Sequence, residues 1–163
     1  LESVRTWERN PQYYGDLLST SLAGQILFDY APISERGRRV LSKLRQAPRL
    51  VQAARDNVKE PPGIFAKVGL ETLRGVLRFI EHDLPRAFST VDDLHLLGDL
   101  ADAQVEASQA LGAYVTYHED DVAPRARASS SSSQLRTWAL SRKTSAYAPS
   151  SRSPRSLARP AGS

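Results

Sequence analysis

Between Pro61 and Phe88 the apolar residues recur at helical spacing, and nothing else in the chain constrains its fold so strongly. Behind the breaker Pro61-Pro62-Gly63 come Phe65, Val68, Leu73, Val76, Leu77, Ile80 and Leu84, with Glu71, Arg74, Arg78 and Glu81 among the other positions. That is the stripe of an amphipathic helix of about six turns, running to Phe88. An isolated helix of this kind is marginal in water, so its apolar face requires other helices to cover it.

The flanking segments supply them. Asn10-Pro11 reads as a helix start, an Asn cap followed by a Pro whose missing N–H would be unpaired there anyway. The helix expected from it runs to about Tyr30, with Tyr14, Leu17, Leu18, Leu22, Ile26 and Leu27 as its stripe and Ala31-Pro32 as its end. Ser34 is the expected cap of a second helix from Glu35 to Gln46, and Pro48 either kinks that helix or starts a new one. Thr90-Val91-Asp92-Asp93 resembles a capping box opening a long helix from about Val91 to Val122, which Pro124 ends. Its expected apolar face is Leu94, Leu97, Leu100, Ala101, Val105, Ala107, Leu111, Tyr114 and Val115. No β-type alternation and no internal repeat occurs. The fold class is therefore all-α, four to five mostly antiparallel helices with short connections, followed by a tail.

Charge separates that tail from the body. From residue 129 onward there are six basic residues and no acids; removing them from the chain's 22 Lys and Arg leaves 16 against 18 acids, a net of −2 for residues 1–128. The +4 of the whole chain thus belongs to residues 129–163, and the body has no excess that would attract nucleic acid. The tail opens on Ser129 to Ser133 and is dominated by Ser, Arg, Ala and Pro. Leu135, Trp138, Leu140, Tyr147 and Leu157 lack sustained periodicity, so the segment is expected to be disordered. Its Arg residues with Trp138 and Tyr147 interspersed suggest at most weak affinity for RNA or an anionic surface. The chain has no Cys, which excludes disulfides, thiolate catalysis and Cys-ligated zinc. It has no Met and begins at Leu1, as expected of an internal piece or a processed product. The longest uncharged stretch near the start, between Asp16 and Asp29, is too short and too polar to span a bilayer.

From Asn10-Pro11-Gln12-Tyr13-Tyr14-Gly15-Asp16-Leu17-Leu18 onward the chain resembles a bacterial family described as domain of unknown function 885, large helical proteins similar to zinc metallopeptidases. The resemblance continues through Phe28-Asp29-Tyr30-Ala31-Pro32, Arg38-Arg39-Val40-Leu41, Pro48-Arg49-Leu50, Pro61-Pro62, Glu71-Thr72-Leu73-Arg74-Gly75 and Asp83-Leu84-Pro85, covering roughly residues 7–128. It implies that residues 1–128 are the N-terminal helical portion of a peptidase-like domain. The family's zinc lies in a His-Glu-x-x-His helix much later in the chain, where two imidazoles four residues apart share a helix face and the Glu activates metal-bound water. His118-Glu119-Asp120-Asp121-Val122 is the nearest approach here, with Val122 where the second His would stand. No catalytic, cofactor-binding or metal residue is therefore assigned to this chain; zinc is implied for full-length relatives alone. Near Ser129 the family pattern, the periodicity and the acids stop together, as expected if residues 129–163 come from a shifted reading frame.

The remaining candidates have ordinary structural explanations. His82, His95 and His118 are far apart in sequence and are expected to be solvated or capping residues; His118 is placed on an exposed helix end. Asp92, Asp93, Asp99 and Asp102 suit the first turns of a helix, where acids favour the macrodipole. Tyr13 and Tyr14 are expected to pack against neighbouring helices. Ser21 has no Gly-x-Ser-x-Gly elbow around it. Two functions follow as expectations. One is a non-catalytic helical scaffold, and one wall of a substrate cleft, in a zinc-metallopeptidase-like protein, its partners being the C-terminal part of that domain and a peptide substrate. The other is a stand-alone helical protein-interaction module.

Overall fold

A computed structural model of the chain describes residues 5–128. The expected tail and its shifted frame lie outside the described residues. The described part is all helix and turn: α1 Thr6–Arg9, α2 Gln12–Leu27, α3 Ile33–Asn57, α4 Gly63–Arg78, a π-helical turn Phe79–Asp83, α5 Leu84–Ala87, α6 Leu94–Tyr117 and a second π-helical turn His118–Val122 that runs on into helix 123–128.

The four long helices form a ring in the order α2, α3, α6, α4. Helices that follow one another in the chain alternate in direction. Tyr14 meets Asn57 while Arg36 reaches Gln25 O, so α2 and α3 are antiparallel. Arg74 pairs with Glu119 while Gln104 reaches Glu81 O, so α4 and α6 are antiparallel too. The two contacts that close the ring are parallel. Gly37 lies against Leu96 and Leu100 with Arg45–Asp99 further along, and Pro11 lies against Gly69 with Gly15 against Thr72. All four helices converge on one core in which Leu22, Val40, Leu44, Ile80 and Ala107 are sealed from solvent. Each fully buried Leu or Ile stabilises by about 1.5–3 kcal/mol before ordering entropy is subtracted.

Several boundaries differ from the sequence expectation, each for a local reason. α2 stops at Leu27 because Arg36 ties down the turn before Pro32, donating to Ala31 O and Gln25 O at 3.0 Å each and pairing with Asp29 at 2.7 Å. α3 starts at Ile33, not at a Ser34 cap, because the Pro32 carbonyl already accepts from Glu35 and Arg36 N–H. It then passes through Pro48 without breaking, so no new helix starts there; packing against α6 holds the two halves in line. Asp93 replaces Thr90 as the cap of α6, its carboxylate accepting from Leu96 N–H at 3.1 Å. That bond, ahead of the charge on Arg38, holds the Asp93 carboxyl below its ordinary pKa.

Against expectation, Pro124 does not end the long helix; the central helix does run past Pro85, as expected, as far as Ala87. In both places a π turn precedes the proline by two residues, with Leu84 N–H reaching back to Phe79 O and Ala123 N–H to His118 O. A proline in an α-helix collides with the carbonyl four residues back and leaves it unpaired. The wider π turn shifts the hydrogen-bond register just ahead of the ring. At Pro85 the carbonyl concerned belongs to Glu81, and it takes the Gln104 side chain at 3.4 Å.

Candidate functional site

The polar groups most deeply buried gather where α6 passes into its π turn. His118, expected on an exposed helix end, is 0 % exposed, and neither ring nitrogen has a hydrogen-bond partner. Four residues after Tyr114 and seven after Leu111, it lies on the same buried face of α6, still bonded in α register through its N–H to Tyr114 O, and its ring stands edge-on to Tyr114 with centroids 6.2 Å apart. The Tyr114 hydroxyl is likewise buried and unpartnered. Burial pushes the His118 pKa down and the Tyr114 pKa up, so both stay neutral near pH 7. Tyr114 stacks on Tyr117, over which the Arg55 guanidinium lies at 4.4 Å from the ring centre. An imidazole with no atom at the surface exchanges no proton with an outside substrate, so this cluster is packing rather than catalytic machinery.

His118 nevertheless has a measurable consequence. Its folded-state pKa is depressed, so below the ordinary imidazole value of about 6.5 the unfolded chain binds a proton that the folded chain does not. The stability tied to this group is complete above that pH and is lost as pH falls toward the folded pKa. His118→Leu removes both the titration and the orphaned nitrogens. Urea unfolding is expected to show the variant more stable by about 1 kcal/mol at neutral pH, with a flatter dependence between about pH 7 and pH 5. An unchanged pH slope would place the titration elsewhere.

The other candidates do not assemble. His82 and His95 are exposed, and among the described residues no group of three or more His, Asp or Glu could hold a metal ion. Asp93 caps α6, and Asp99 pairs with Arg45 at 3.4 Å. Asp92 and Asp102 face solvent. Tyr14 is packed as expected, its hydroxyl donating to Trp7 O at 3.0 Å and accepting from Asn57 at 2.8 Å. Tyr13 stays exposed, standing edge-on to Tyr14. Ser21 donates to Leu18 O at 2.8 Å.

The surface is more informative than the interior. Large apolar side chains remain exposed at both ends of the bundle: Leu27, Phe28, Tyr30 and Leu94 at one, Trp7, Tyr13, Ile64 and Phe65 at the other. Leu94 is 81 % exposed, although its spacing placed it on the buried face of α6. Charge is divided as well. α3 carries seven Lys and Arg against Glu35 and Asp56, whereas residues 94–122 carry six acids and no Lys or Arg. The near-neutral sum over residues 1–128 hides this split, which counting by helix would have found.

No family model matches this chain, and no curated protein or solved structure matches it either.

Proposed function

We propose that residues 5–128 are a helical docking scaffold that acts through its surfaces and supplies no catalytic group of its own. The observation that carries this reading is the exposure of large apolar side chains at both ends of a bundle whose core is otherwise closed: Leu27 is 73 % and Ile64 65 % exposed. Apolar surface concentrated in this way marks sites of contact with other protein. The resemblance to zinc-metallopeptidase-like proteins supplies the setting: further helical segments of such a domain seat on these ends, and the zinc site lies in them.

Hydrophobic-interaction chromatography of the full chain tests the reading. The variant Leu27→Lys, Phe28→Lys, Ile64→Lys, Phe65→Lys is expected to elute clearly earlier than the wild type, with unchanged helical circular dichroism. Loss of helix would mean that these side chains belong to the core. Unchanged retention would mean that the ends are not accessible apolar surface. Dialysed against zinc, the full chain is expected to retain no stoichiometric metal; one chelator-sensitive zinc per chain would contradict the absence of a catalytic site.

A further inference from the structure

The flanks of the bundle carry two further exposed apolar residues, Leu17 and Val105, and each sits in a patch of opposite charge. Leu17 borders an open groove of about 390 Å³ between α2 and α3, floored by Leu18, Ala47 and Leu50 and edged by Lys43 and Arg49. No carboxylate lines this groove. α3 has seven cations, and most are already engaged: Arg36, Arg38, Arg39 and Arg45 with acids, Arg55 with Tyr117. Lys43 and Arg49, the two that edge the groove, make no hydrogen bond or ion pair among the described residues.

Val105 belongs to the outer side of α6. There Leu94, Gly98, Ala101 and Val105 recur at spacings of four, three and four and are all exposed. Such a seam is what a helix presents to a groove. Asp102 and Glu106 flank it, exposed and without a hydrogen bond or ion pair among the described residues. The groove therefore offers an apolar floor with two free cations, and the α6 seam an apolar ridge with two free carboxylates.

We propose that the α2–α3 groove of one copy receives the outer seam of α6 from a second copy of this chain. Complementary charge selects this occupant. Residues 129–163 carry six basic residues and no acid, so their charge does not complement a groove edged with Lys43 and Arg49. The residues that make this contact are distinct from the four exchanged at the bundle ends, so this proposal and the docking scaffold can fail separately.

Sedimentation equilibrium of the full 163-residue chain tests the proposal by charge exchange. The wild type is expected to self-associate, more weakly as salt is added. A groove variant (Lys43→Glu with Arg49→Glu) and a seam variant (Asp102→Lys with Glu106→Lys) are each expected to associate at least about tenfold more weakly alone. Their equimolar mixture is expected to recover association, because each variant then meets its complement. A monomeric wild type, or a mixture that stays monomeric, overturns the proposal. So does a groove variant that associates like the wild type while the seam variant does not, which would assign the acidic seam to the basic residues 129–163. Circular dichroism verifies the fold of each variant; should either double variant lose helix, Arg49→Glu and Glu106→Lys provide the same exchange with one charge each.

Discussion

Replacing Leu111 with alanine is expected to destabilise the bundle by about 4 kcal/mol, near the upper end of the ~2–5 kcal/mol range for buried Leu→Ala changes. Leu111 is 1 % exposed and sits where all four long helices meet, beside Tyr14 and Leu18 of α2, Leu50 and Ala54 of α3, and Leu73 of α4. These side chains already leave a small void of about 10 Å³ between them. The truncation enlarges a gap that four anchored helices have not closed, so little of the lost volume can be recovered by relaxation. Val105→Ala on the same helix removes a side chain that is more than half exposed, and is expected to stay within about 0.5 kcal/mol of the wild type. Urea unfolding of both variants makes the comparison. Equal effects would place Leu111 outside the core.

The second large effect comes from adding atoms. A Cβ built on Gly69 overlaps Pro11 Cγ outright and stands 3.0 Å from Pro11 Cβ and 3.1 Å from Gln12 N. Pro11 is a buried rigid ring and Gln12 N is backbone, so neither can swing aside; α2 and α4 must move apart. Overpacking costs about 1–3 kcal/mol, and the rigid neighbours put Gly69→Ala toward the larger figure. The better helix propensity of alanine offsets about 1 kcal/mol of it. At Gly75, further along α4, an added Cβ would have no neighbour within 4 Å. Gly75→Ala is therefore expected to stabilise by up to about 1 kcal/mol. One chemical change in one helix is expected to have opposite signs at the two sites, read as midpoint shifts in thermal or urea unfolding. A stabilising Gly69→Ala would mean that α2 and α4 do not approach as closely as described.

Helix content was legible because large apolar residues repeat at helical spacing, as Leu73, Val76, Ile80 and Leu84 do; all four are buried. Which face turned inward was less legible wherever small residues make the contact. Gly69 faces the start of α2 and Ala66 is buried while Phe65 stays exposed, and Ala103 and Ala107 are buried in α6 while Leu94 and Val105 are not. A small residue gives no hydrophobic signal, yet it is what allows two backbones to approach. The π turns were hidden for another reason: a change of hydrogen-bond register leaves no mark in composition, so Pro124 read as a helix end and the π turn ahead of Pro85 went unread. His118 was missed because it is polar, although it continues the helical spacing of the buried Leu111, Tyr114 and Val115. The parallel pairing of α3 with α6 depends on the arrangement of all four helices, and local pattern does not encode it.

The central claim is that residues 5–128 close a core of their own and leave function to their surfaces. The most direct measurement is denaturant unfolding of the full chain followed in parallel by far-ultraviolet dichroism, which reports helix, and near-ultraviolet dichroism, which reports the fixed packing of aromatic side chains, the buried Tyr14 and Tyr114 among them. The two curves are expected to superimpose in one cooperative transition. Loss of the near-ultraviolet signal while helix persists, accompanied by dye binding, would describe a molten state and contradict a self-contained core.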